Sequence, residues 1–119
     1  MKATDFTHLK VWQMAHQATL AVYSLTARFP SDEKYGLRSQ MRRAAISVSA
    51  NIAEGFGRRM PKDKVRFYTI SASSAVELRY YLLLSKDLGF LAEPGPLWSD
   101  LESIGRMLNR LSEVILSSS

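Results

Sequence analysis

Cysteine is absent from the 119 residues, which removes disulfides, thiolate catalysis and cysteine-ligated zinc together. Histidine is nearly absent. Only His8 and His16 occur, about two turns apart on one expected helix and too far apart to share an ion. No Glu-x-x-His pattern appears, so the paired-metal chemistry that helical bundles can carry has no ligands here. No metal and no cofactor is therefore expected. No apolar run is long enough to cross a membrane, and residues 1–10, MKATDFTHLK, hold no apolar core of a signal peptide. The expected location is cytoplasmic, without a membrane partner.

Catalytic spacings are missing as well. Ser47, Ser49, Ser71, Ser73 and Ser74 are plentiful, but none sits in a strand-turn-helix nucleophile elbow. The stretch "EGFGRR" is not a phosphate loop, because Gly-x-x-x-x-Gly-Lys-Ser/Thr is absent and no strand precedes it. No histidine follows an arginine in the manner of some helical ribonucleases. A non-enzymatic protein is expected, with a nuclease the weakest alternative.

Alternation of period two is nearly missing, and helical periodicity takes its place. With 46% apolar and 23% charged residues, the chain reads as one compact all-α domain over residues 1–119. The first helix is expected over 7–28, with Thr7 as N-cap and Leu9, Trp12, Ala15, Thr19, Val22, Tyr23 and Thr26 on its inner stripe. Phe29-Pro30 breaks it, since the residue before proline is driven out of helical geometry. The second is expected over 35–54, with Leu37, Met41, Ala44, Ala45, Val48, Ile52 and Phe56 on its apolar stripe, and Gly55 and Gly57 releasing the chain. The third runs over 61–88, from Pro61 to the stop at Gly89. The fourth runs over 96–116, through Leu97, Leu101, Ile104, Leu108, Leu111 and Ile115, with Ser117–Ser119 frayed. Short connections between helices of this length predict an antiparallel up-down-up-down four-helix bundle.

Two features exceed a simple bundle. The stretch "VELRYYLLL", Val76–Leu84, is apolar or aromatic nearly all round the helix, interrupted by Glu77 and Arg79. A helix burying one face should be polar on the other, so this one predicts a second buried face and self-association. Charge is also unevenly placed. Residues 34–66 carry nine basic groups against Glu54 and Asp63, a local +7 within a net +5, so the rest of the chain is −2. Concentrated positive charge attracts polyanions such as RNA or DNA. Tyr35, Phe56 and Phe67 interleave this segment, but the two phenylalanines fall at core positions, so base-specific reading is not expected.

The arginines divide by helical position. Arg43 shares a stripe with Ser47, Asn51 and Glu54. Arg43, Asn51, Glu54 and Glu77 are therefore expected to form a polar layer inside the bundle, the glutamates pairing with Arg42 or Arg43. Arg38, Arg42, Arg58, Arg59, Lys62, Lys64 and Arg66 are expected on an anion-binding surface, where contacts to backbone phosphates matter more than base identity.

The stretches "FTHLKVWQMAHQ", "YSLTARFPSDEKYGLRSQMRRAAISVSANIAEGFGR" and "FYTISASSAVELRYYLLLSKDLGFL", with the closing apolar helix, span essentially the whole chain. They resemble the four-helix-bundle proteins encoded within intervening sequences of bacterial 23S rRNA genes. The motif positions matched are Arg42, Arg43, Asn51, Glu54, Gly55, Arg58 and Glu77. The chain is also similar to the accessory proteins of diversity-generating retroelements. The resemblance implies a ring-like homo-oligomer of five copies, and partners that are nucleic acid or a protein such as a reverse transcriptase. It implies no assigned biochemical activity. The leading expectation is a ring-forming helical protein whose basic surface engages RNA, DNA or a nucleic-acid–protein complex with little sequence specificity. The alternative is a structural assembly module that binds another protein.

Overall fold

The computed structural model describes residues 4–118. Four helices carry the fold: α1 Lys10–Thr26, α2 Leu37–Gly57, α3 Pro61–Asp87 and α4 Pro96–Ser117. Single 3-10 turns, Phe6–His8 and Ser31–Glu33, precede α1 and α2, and no strand occurs among the described residues. The helices pack as a rod of 47 × 24 × 19 Å, in which the 27 residues of α3 form the longest element. The α2–α3 contact is the most extensive, α3–α4 and α1–α2 follow, and α1–α4 closes the circuit most weakly. Each helix thus has two neighbours around one core, as a four-helix bundle requires.

Local chemistry sets the boundaries. Thr7 does not cap α1: its hydroxyl donates to Asp5 Oδ2 at 2.7 Å within the first 3-10 turn, and extended Leu9 precedes the helix. Helix α2 begins at Leu37, not at residue 35, and continues through Gly55 to Gly57. The chain leaves helical geometry only at Arg58 (φ −80°, ψ 146°), three residues before the proline that opens α3. Gly89 ends α3 as expected: at φ 81° it takes the left-handed position of a helix C-terminus. Its N–H donates to Lys86 O at 3.0 Å, and Phe90 N–H donates to Ser85 O at 2.9 Å, which satisfies carbonyls otherwise left open. Of the serines expected to fray, Ser117 lies in the last turn of α4, Ser118 caps it, and Ser119 lies outside the described residues.

The inner stripes read from periodicity supply most of the core, except that Tyr23, expected on the stripe of α1, is 40% exposed and lies against the Arg42 guanidinium. Val22, Met41, Val48, Ile52, Leu78, Leu82, Leu101, Ile104 and Leu108 are almost wholly buried. Helix α1 contributes mainly small groups, Ala15, Ala18 and Val22, and its polar residues bind the α2 backbone or side chains. Thr19 Oγ1 donates to Ala45 O at 3.1 Å or shares a proton with Ser49 at 2.7 Å. Between α2 and α3 the cross-links run from Lys64 with Gly55, through Ser71 with Val48 and Ser74 with Ser47, to Ser85 with Met41. Partner numbers fall along α2 as they rise along α3.

One contact sets how closely α2 and α3 approach. A Cβ placed on buried Gly55 would lie 2.6 Å from Cε1 of Tyr68 and 3.2 Å from Lys64 O. Tyr68 is itself buried and cannot swing into solvent, so only glycine fits without a shift. Gly55→Ala should therefore destabilise the fold by about 1–3 kcal/mol. Gly105, in mid-α4, has open space where its Cβ would go, so Gly105→Ala should stabilise by up to about 1 kcal/mol. Opposite shifts of the two thermal midpoints check the assignment.

Candidate functional site

The seven basic residues expected on the anion-binding surface fall into two groups once their bonds are traced. Arg38, Arg42 and Lys64 are clasps. Arg38 Nη2 donates to Phe29 O at 2.8 Å, holding the break after α1. Arg42 donates through Nε to Thr26 Oγ1 at 2.9 Å and through Nη2 to Tyr23 O at 3.1 Å, with its guanidinium 4.4 Å from the centre of the Tyr23 ring. A cation against the carbonyl end of a helix is favourable, because that end carries the negative pole. Lys64 does the same for α2, its Nζ donating to Gly55 O at 2.9 Å and Phe56 O at 2.7 Å. Burial pushes the Lys64 ammonium below the usual lysine range. These three, expected on an anion-binding surface, are instead spent on internal carbonyls.

The second group surrounds the turn between α2 and α3. Arg58 pairs with Glu54 at 3.2 Å and lies 3.7 Å from Asp63, while Arg66 pairs with Asp63 at 2.9 Å. Both guanidiniums lie over half-buried Phe67, 4.6 and 4.4 Å from its ring centre. Arg59 and Lys62 are exposed, and no ion pair or hydrogen bond holds them among the described residues. An open depression lined by Phe6, Ala50, Ala53, Glu54, Gly57 and Arg58 adjoins the turn. Five basic groups expected together are thus brought to one end of the rod, four of them at its surface.

The expected polar layer needs correction. Arg43, Glu54 and Glu77 are exposed, and neither glutamate bonds to Arg42 or Arg43. Glu54 lies one turn before Arg58 on α2 and pairs there, whereas Glu77 accepts from Tyr81 at 3.1 Å. Burial first, then this contact, raises the Tyr81 phenol above its ordinary pKa. Asn51 alone lies half inside, donating through Nδ2 to Ser47 O at 2.8 Å and to Ser47 Oγ at 3.0 Å. Ser47 in turn shares a proton with Ser74 at 2.7 Å, so the layer between α2 and α3 is built of uncharged groups. Desolvating a full charge there would cost far more than desolvating a hydroxyl.

Sequence reading counted Asp63 and Phe67 with the basic segment but gave Asp63 no partner and placed Phe67 in the core, missing their contacts with Arg58 and Arg66. Their signal is present: Asp63, Arg66 and Phe67 stand three and four residues apart on one helix face. Among the described residues, no group of three or more His, Asp or Glu side chains could hold a metal ion. No helix there is long and apolar enough to cross a membrane.

The model of the 23S rRNA-intervening sequence protein family matches residues 7–110. The chain belongs to that family. The match runs from the turn before α1 deep into α4, so the family pattern covers the clasps, the basic turn and the outer face of α3 alike. No curated protein matches the chain.

In this member of the 23S rRNA-intervening sequence proteins, the clasps should matter for stability more than the exposed charges do. Arg42→Ala removes hydrogen bonds from a charged group to the buried Thr26 hydroxyl and the Tyr23 carbonyl and should cost about 1.5–3 kcal/mol. Glu54→Ala and Glu77→Ala remove solvent-exposed contacts and should cost at most about 1 kcal/mol each. Chemical denaturation of the three variants checks the ranking.

Proposed function

We propose that the protein is a non-enzymatic homo-oligomer, a ring of five antiparallel four-helix bundles, whose basic turns bind the phosphate backbone of RNA or DNA with little sequence preference. The observation that carries the nucleic-acid reading is the pair of exposed, unpartnered cations, Arg59 and Lys62, beside the guanidiniums of Arg58 and Arg66. The half-buried Phe67 lies beneath those guanidiniums, which leaves it unsuited to stacking on a base and favours contact with phosphate over readout of sequence. Five copies at +5 each would carry a formal +25 and repeat the turn around one axis. Repetition converts weak single contacts into tight binding, because later contacts are effectively intramolecular.

Self-association is supported by the outer face of α3. Val76, Tyr80 and Leu83 are 66%, 57% and 44% exposed, at the alternating four- and three-residue spacing of a helix–helix seam. Leu78 and Leu82 of the same helix are fully buried, so α3 is apolar on two opposed faces. That outer stripe also favours a second reading, in which the ring is an assembly module for another protein, such as a reverse transcriptase, in the cytoplasm.

Light scattering at micromolar concentration should give about five times the 13.4 kDa chain mass; a monomer mass contradicts the ring. Binding to a short RNA or DNA duplex should weaken steeply with salt and depend little on sequence. Arg59→Glu with Lys62→Glu should weaken that binding and flatten its salt slope, with melting temperature and oligomer mass unchanged. No wild-type binding at low salt leaves the protein-assembly reading.

A further inference from the structure

The guanidiniums at the basic turn are already occupied by an anion that the chain supplies. Asp63 touches both: Oδ1 accepts from Arg66 at 2.9 Å, and Oδ2 lies 3.7 Å from Nη1 of Arg58. One carboxylate therefore spans two guanidiniums with its two oxygens, as the two free oxygens of a phosphodiester can. Glu54 holds the remaining side of Arg58 at 3.2 Å. The Phe67 ring lies within 4.6 Å of both guanidinium carbons and keeps the two groups near each other whichever anion they hold.

These pairs are built to exchange. The side chains of Arg58, Arg66 and Asp63 are 42%, 59% and 34% exposed, and ion pairs in that setting contribute little net stability. Breaking them for a phosphate costs little, yet Asp63 still competes for the same donors. Arg59 and Lys62 have no such competitor and are free to meet a polyanion first.

We propose that Asp63 is an internal counter-ion occupying a phosphodiester site formed by Arg58 and Arg66, and that a nucleic-acid backbone binds there by displacing it. The inference rests on the nucleic-acid reading above and adds a regulator to it. Residue 63 sets how many arginines contribute to binding, and so sets both the affinity and its dependence on salt. Neutralising Asp63 releases two guanidiniums at once, whereas neutralising Glu54 frees one side of Arg58 only.

The test measures anisotropy of labelled 20-base-pair DNA and RNA duplexes with the full chain, over a salt series. It compares wild type with Asp63→Asn, Glu54→Gln and Asp100→Asn. Asp100 is exposed at the start of α4, with no arginine or lysine paired to it among the described residues, so its variant makes the same change in net charge without touching the cluster. Asp63→Asn should tighten binding to both duplexes on the order of tenfold at low salt, with a salt slope steeper by about 1–2. Glu54→Gln should shift binding the same way by a smaller factor. It also serves as the second variant should loss of a carboxylate from the first turn of α3 lower the melting temperature of Asp63→Asn. Asp100→Asn should stay within about twofold of wild type. Binding by Asp63→Asn where wild type fails to bind would overturn the proposal, because the carboxylate would then block the site instead of yielding it. If wild type binds and Asp63→Asn matches Asp100→Asn in affinity and slope, the counter-ion role is overturned while the nucleic-acid reading stands. If none of the four binds, both are overturned.

Discussion

The close approach of α2 to α3 is the constraint on which the rest of the molecule depends. Gly55 lets the buried Tyr68 ring lie against the α2 backbone, in the space a Cβ would take. Beyond that point the seam is lined by small hydroxyl-bearing groups: Ser71 donates to Val48 O at 2.7 Å, and Ser47 and Ser74 share a proton at 2.7 Å. Small side chains let the backbones approach, and each hydroxyl finds a partner, so the seam is close without leaving a polar atom unsatisfied. The large apolar groups of α3 are displaced to the two remaining directions. Leu78 and Leu82 turn toward the core, while Val76, Tyr80 and Leu83 turn toward solvent.

The same seam fixes the basic turn. Helix α2 runs on to Gly57, and Lys64 reaches back from α3 to its last carbonyls, so the three residues Arg58–Met60 span a short, held connection. Arg59 on this connection and Lys62 in the first turn of α3 are exposed, and Arg58 and Arg66 lie beside them over Phe67. Position rather than number of charges distinguishes these residues from Arg38 and Arg42, which are held by carbonyls at the end of α1 and in the break that follows it. A net charge of +5 therefore overstates the surface open to an anion along α2 and understates how concentrated it is at one end.

Apolar periodicity made the four helices and most of the core on α2 and α4 legible, because burial of a stripe repeats every three or four residues and leaves a pattern in one dimension. On α3, apolar nearly all round over Val76–Leu84, it did not separate buried Leu78 and Leu82 from the outer face. Pro61 and Gly89 marked boundaries for equally local reasons. Gly55 was misleading for a tertiary reason: it looks like a helix stop, and only the presence of Tyr68 across the seam shows that it is a contact site. The charged residues were harder. Arg43 and Glu54 share a stripe with half-buried Asn51, yet that stripe lies at the edge of the α2–α3 contact, where a hydroxyl turns inward and a long charged chain turns out. Arg42 differs from Arg43 by one position and by its entire environment, a distinction set by where Thr26 and Tyr23 end up.

A double-mutant cycle between Gly55 and Tyr68 tests the central claim most directly. Gly55→Ala, Tyr68→Leu and the double variant are unfolded in denaturant, and the coupling is read from the three stability changes. If the ring is what forbids a side chain at position 55, removing it should relieve the strain. The double variant should then lose at least about 1 kcal/mol less than the two single losses together. Additivity to within about 0.3–0.5 kcal/mol would contradict the account, because the approach of α2 to α3 would then not be set by this contact.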